Sequence, residues 1–186
     1  MQKNISRPGG HGALHSFVPP EILGKKPLMS LESVRIHLAS AAPDLEVLVT
    51  EDSSATVDLA ARAHGVSPGQ IAKTLSIQLK DRIILLVARG DARLDNKKAK
   101  ATFGAKVKML GLDEVEDLTG HPVGGVCPFG LARPLAVYCD VSLKDFDVVI
   151  PAAGATNAAV RISPERMAEI TDAEWVDVCQ PPQTGG

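Results

Sequence analysis

Cys127 is the side chain of this sequence best suited to covalent chemistry. It lies in the stretch HPVGGVCPFG, residues 121–130. A cysteine nucleophile needs a base and a group that lowers its pKa. His121 is close in sequence, but spacing alone does not bring its ring to the sulfur. The plainer reading of Cys127 is a small packing residue in a tight loop. A second chemistry lies in the loop's backbone. Gly124 and Gly125 have no side chains to obstruct a ligand and can take positive φ, and Pro128 stiffens the far end. Such a loop can aim several N–H groups at one oxygen, the arrangement that stabilises an oxyanion. A purely structural turn uses the same residue types, so both readings stand at this level.

Lys73 is the other residue out of place. It sits in IAKTLSIQL, 71–79, which otherwise reads as a buried strand. A lysine there must snorkel, pair or serve a ligand. Thr74 beside it points to the opposite face if the strand is regular. From Arg89 to Lys108 the chain carries seven basic residues opposed only by Asp91 and Asp95. That run is either a solvated helix face or a patch for a phosphate backbone. It lacks the interleaved aromatics of a base-stacking platform.

Other chemistries find no support. No His-Glu-x-x-His or Cys-x-x-Cys spacing exists, which argues against a metal enzyme. Ser53 and Ser54 lack a Gly-x-Ser-x-Gly setting. GGVCPFG is neither a dinucleotide-binding signature nor a P-loop.

The elements that must position these residues follow from pattern. At 186 residues the chain predicts one domain with trimmings, able to bury a core without staples. Aromatics are only 3%, so aliphatic side chains must build that core. Net charge is −2, and the three cysteines are widely spaced, which fits a reducing cytoplasm. No segment is apolar for long enough to span a membrane, so no membrane association is expected. Residues 1–28 read as an N-terminal extension, 29–179 as the domain and 180–186 as a tail.

Ser30 can cap a helix using Leu31, Val34 and Leu38. Strands are predicted at 45–50, 71–79, 82–89, 106–110, 135–140, 146–152 and 158–162. Helices are predicted at 56–64, after Asp95, at 112–120 and from Ser163. The runs 71–79 and 82–89 form a hairpin, and IILLVA reads as a central strand covered on both faces. The fold class is α/β: one domain with a mixed, partly antiparallel sheet or partial barrel, flanked by helices.

Four stretches in this order carry a resemblance: IAKTL, 71–75; ARLDNKKAKATFGA, 92–105; GHPVGGVCPFG, 120–130; and FDVVIPAAG, 146–154. Together they resemble the YbaK/prolyl-tRNA-synthetase editing-domain family over about residues 30–178. The resemblance implies a freestanding deacylase that hydrolyses the ester of mischarged aminoacyl-tRNA. The implied substrate is tRNA-Pro carrying Ala, Cys, Ser or 2-aminobutyrate. It implies no cofactor, no metal and no covalent enzyme intermediate. Prolyl-tRNA synthetase or the elongation machinery is an implied partner that could supply tRNA affinity.

The family's lysine falls on Lys73 and its Gly-x-x-x-Pro loop on Gly124 to Pro128. Lys73, Gly124, Gly125 and Pro128 are therefore the expected catalytic residues. Thr74, Cys127, Phe129, Gly130, Arg93 and Gly154 are the expected substrate-binding residues. On this reading N–H groups of Gly125 to Phe129 hold the ester's carbonyl oxygen or position water, and Lys73 holds substrate by charge. Several relatives carry serine where this loop has Cys127. Two alternatives remain open: a non-catalytic module that binds tRNA acceptor ends or a synthetase, and a hydrolase that uses Cys127.

Overall fold

The computed structural model describes residues 30–182. The hairpin forms as its pattern requires. Strand β2 (Ile71–Gln78) pairs antiparallel with β3 (Ile83–Arg89), with Lys73 opposite Ala88 and Thr74 opposite Val87. β3 is the centre of the molecule. Ile84 to Ala88 are completely buried. Leu85 and Val87 face one apolar cluster, and Ile84, Leu86 and Ala88 face the other. Burial on both faces is why this run shows no polar alternation.

Around the hairpin the sheet is mixed. β6 (Ala136–Asp140) lies parallel to β3, and β9 (Glu174–Val176) lies parallel to β6. On the other side, the outer edge of β2 is shared by two short strands. β7 (Ile150–Pro151) runs parallel beside Ile71 and Ala72. β5 (Lys108–Met109) runs antiparallel beside Ile77 and Gln78. Two further antiparallel pairs flank the sheet: β1 (Val47–Val49) with β8 (Ala158–Val160), and β4 (Arg93–Leu94) with β10 (Cys179–Gln180).

Helices cover both faces. α1 (Ser30–Ala41) buries Val34 and Leu38, and α5 (Pro164–Ile170) buries Met167 and Ala168, in the first cluster. α3 (Asn96–Phe103) buries Ala99 in the second. α2 (Val57–His64) packs Ala60 and Ala61 over Ile71, Ile150 and Ala159. α4 (Leu112–Thr119) completes the set. Their ends match the residues that cap them. Thr56, Asp95 and Ser163 accept backbone N–H bonds at the starts of α2, α3 and α5. Gly65, Gly104 and Gly120 end α2, α3 and α4 in the left-handed conformation.

Three features differ from the sequence expectation. The strand predicted over 146–152 shrinks to Ile150–Pro151, because its ends serve other partners: Val149 bridges Ile162 and Ala152 bridges Ala159. β4, β9 and β10 are two or three residues long, too short to show alternation. β10 carries regular pairing through Gln180, one residue past the expected domain end. The extension at 1–28 lies outside the described residues.

Candidate active site

β2 has an interrupted outer edge. Ser76 accepts a bond from Leu110 N–H at 2.9 Å, so its backbone polar groups face the β5 side. Backbone direction alternates along a strand, which turns the N–H and C=O of Thr74 to that same edge. There β7 has already ended opposite Ala72, and β5 begins only opposite Ile77. A cavity of about 230 Å³ fills the break. Ala72, Thr74 and Ser76 line its floor, and Ile150 and Leu110 its two ends. Ser54 to Val57, leading into α2, form one wall. Val123, Gly124 and Val126 form another. The mouth is apolar and open: Met109, Leu112 and Val123 border it at 50%, 73% and 50% exposure.

The glycine loop is built into this wall by contacts that exclude a Cβ. Gly124 has φ +85°, and a Cβ there would fall 2.8 Å from the Ala55 Cβ. At Gly125 it would fall 2.8 Å from the Ala155 carbonyl carbon. Gly125 N–H donates to Pro122 O at 2.9 Å, and its own carbonyl accepts from Gly154 N–H at 3.1 Å. Cys127 N–H donates to His121 Nδ1 at 3.3 Å. Two of the N–H groups expected to meet substrate are therefore turned inward and satisfied. Gly124 and Val126 border the cavity, and their N–H groups bond to no other group among the described residues.

Thr74 supplies an unspent side-chain group to the cavity. Its Oγ1 is buried and has no partner among the described residues. A buried hydroxyl without a partner costs about 1–3 kcal/mol, which a ligand in the cavity would recover.

Lys73 borders the cavity too, but its side chain leaves by the other face of β2, the face of Ala88 and Leu75. Nζ donates to Gly90 O at 3.0 Å and to Ala92 O. Burial lowers its pKa, with the nearby Cys179 and Asp91 acting in the opposite sense. The turn that offers those carbonyls is clamped by Arg89, which pairs with Asp91 and Asp145 and lies over the Phe146 ring.

The remaining expected site residues stand away from the cavity wall. Cys127 and Phe129 are fully buried in the first apolar cluster. Burial pushes the Cys127 thiol up to about 12, so at neutral pH it is protonated as well as sealed from solvent. Burial and the raised pKa both argue against the thiol-dependent alternative. Pro128 is buried beside it. Gly130 packs against Ser33, whose Oγ donates to Gly130 O at 2.9 Å. Gly154 packs against Ser30 and tethers the loop through Gly125. Arg93 is exposed in β4, opposite Gln180. Residues that pattern reading passed over include Ala55, Val57 and Leu110, which carry no motif and reach the cavity through folding. Among the described residues no three His, Cys, Asp or Glu side chains gather as a metal-binding set, and no helix is long and apolar enough to cross a membrane.

Fold and site together define a small mixed α/β domain with a cavity bordered by Thr74, Gly124 and Val126, under a glycine-rich loop. The chain belongs to the aminoacyl-tRNA editing domain family, whose family model matches residues 51–170. It is 49% identical to the "Uncharacterized protein YwhH" of Bacillus subtilis over 154 residues, covering 82% of this chain and 98% of that one. It is 30% identical over 120 residues, 63% of this chain and 73% of the relative, to the "Putative Cys-tRNA(Pro)/Cys-tRNA(Cys) deacylase EbsC" of Enterococcus faecalis. A crystal structure described as "a putative trans-editing enzyme for prolyl tRNA synthetase" superposes with a TM-score of 0.76 at 31% identity. The match covers 84% of this chain and 99% of that one.

Proposed function

We propose that this protein is a trans-acting hydrolase of misacylated tRNA, acting on tRNA-Pro that carries Ala, Cys, Ser or 2-aminobutyrate. The observation that carries the reading is the cavity at the broken edge of β2, with the unpartnered Thr74 hydroxyl in its floor and unspent loop N–H groups in its wall. Family membership and the names of the relatives supply the substrate class.

The reaction adds water to the ester carbon. The carbonyl oxygen takes negative charge in a tetrahedral intermediate, and the bond to the terminal ribose oxygen then breaks. That oxygen leaves with a proton, giving free amino acid and tRNA. The N–H groups of Gly124 and Val126, with that of Thr74, donate to the charged oxygen. Thr74 Oγ1 fixes the amino acid or the water. The ribose hydroxyl next to the ester orients the water, so the protein supplies no strong base. An ester of this kind starts high in energy, and positioning with electrostatics does the rest. Lys73 acts through the strand: its ammonium ties β2 to the turn at 90–92 and so fixes the edge at Thr74.

Cavity volume sets the selectivity. A small apolar chamber accepts short side chains, and one methylene is worth about 1–3 kcal/mol of discrimination. The test is a deacylation panel on tRNA-Pro charged with Ala, Cys, Ser, 2-aminobutyrate and Pro. Faster ester loss than in buffer is expected for at least one of the first four, with Pro spared. No acceleration on any of them would sink the reading.

A further inference from the structure

A lysine-lined groove shares strand β5 with the cavity. Lys80 stands in the β2–β3 turn, Lys106 follows the glycine that ends α3, and Lys108 lies in β5. All three are exposed, and none is ion-paired among the described residues. β5 joins the two places: Met109 borders the cavity, and Lys108, the residue before it, borders the groove. The two residues are consecutive in β5, so the strand itself is the shared border and their side chains leave by opposite faces.

The other approaches to the mouth carry the opposite charge. α4 starts at the mouth with Leu112 and presents exposed Asp113, Glu114, Glu116 and Asp117. The wall at Ser54 to Val57 is flanked by exposed Glu51, Asp52 and Asp58. A polyanion whose end enters the cavity is repelled along two sides and received along one. The protein's net charge of −2 conceals this asymmetry.

We propose that the groove of Lys80, Lys106 and Lys108 receives the phosphodiester backbone of the RNA strand whose aminoacylated end occupies the cavity. This rests on the hydrolase reading, which puts an aminoacyl ester there. With the ester inside, the terminal nucleoside lies at the Met109 and Leu112 rim. The phosphates that follow then pass Lys108 before Lys106 and Lys80. Among the described residues no aromatic side chain lines the groove, so it recognises charge and leaves base identity unread.

The variant K106E/K108E tests this, because both side chains are exposed and circular dichroism verifies the fold. Two measurements are made: fluorescence anisotropy with labelled, uncharged tRNA across a salt series, and hydrolysis of misacylated tRNA against the same amino acid esterified to adenosine alone. The variant is expected to bind tRNA at least tenfold more weakly at low salt. Its salt slope should be shallower by roughly 1.5, as for two lost phosphate contacts. Its preference for tRNA over the adenosine ester, as a ratio of kcat/KM values, should fall at least tenfold. Wild-type affinity and an unchanged preference in K106E/K108E would overturn the groove while leaving the hydrolase reading intact. Lysine-dependent tRNA binding by a wild-type protein that hydrolyses no ester would do the reverse. If the wild-type protein binds no tRNA even at low salt, the groove is overturned outright.

Discussion

Lys73 and Thr74 are neighbours in the chain that serve opposite faces of β2. The Lys73 ammonium is anchored on the Gly90 and Ala92 carbonyls, and the Thr74 hydroxyl is free in the cavity floor. One residue braces the strand and the next lines the cavity. Because strand alternation enforces the division, the two positions respond differently to substitution.

Lys73→Met keeps the aliphatic stem and deletes the charge. Hydrogen bonds from a charged donor contribute about 1.5–3 kcal/mol, so the Tm should drop on the order of 5 °C. Hydrolysis of misacylated tRNA and of an aminoacyl-adenosine ester should fall by similar factors. A variant with unaltered Tm that loses only affinity for tRNA would instead place the ammonium on a substrate phosphate.

Thr74→Val keeps the shape of the side chain and removes a buried hydroxyl that lacks a partner. The unliganded fold should be as stable as wild type or more so, by up to about 1 kcal/mol in chemical denaturation. Catalysis should fall by roughly tenfold or more, since a ligand would no longer find that group. Loss of stability together with full activity would show that the hydroxyl serves the fold.

Gly125→Ala places a methyl against the Ala155 backbone, which cannot yield as a flexible side chain would. The loop must shift by several tenths of an ångström, taking the neighbouring Gly124 and Val126 amides with it. A 1 Å misplacement at a reacting centre can cost about 100-fold, so this smaller shift should lower kcat by roughly tenfold. Single-turnover hydrolysis is the measurement. Wild-type kcat in Gly125→Ala would show that the loop is scaffold alone.

His121 makes the loop sensitive to acid. The side chain is fully buried, and burial lowers its pKa to about 4. In the unfolded chain a histidine titrates near 6.5. Between those values the unfolded state binds the extra proton, so stability is complete above about pH 6.5 and declines as pH falls toward 4. The loss approaches roughly 3 kcal/mol at the acid end. His121→Gln should flatten that part of the profile of unfolding free energy against pH. A profile that stays equally steep in the variant would assign the acid sensitivity to other groups.

How far the sequence speaks depends on the range of the interactions. The hairpin, the central strand and the helix starts at Asp95 and Ser163 are local in origin and readable as pattern. The opposed faces of Lys73 and Thr74 follow from alternation alone. The cavity does not. It exists because β7 and β5, distant in sequence, each stop short along the same edge of β2. Cys127 shows the converse problem. Its residue type advertises reactivity, and only the tertiary structure shows that it is sealed from solvent. The basic run is divided by folding as well. Lys98 is spent on Asp177 and Arg93 lies in β4, while Lys106 and Lys108 reach the groove.

The seating of Gly130 and Gly154 on Ser33 and Ser30 sets where this domain can be cut. The family model spans residues 51–170, but both glycines rest on the first turn of α1, upstream of that span. A fragment starting at residue 51 would also strip β8 of its partner β1 and leave Phe129 without the helix that covers it. The excised piece would keep every motif and lose the support that shapes them. In any fusion or transplant of this domain, the helix beginning at Ser30 has to travel with the loop.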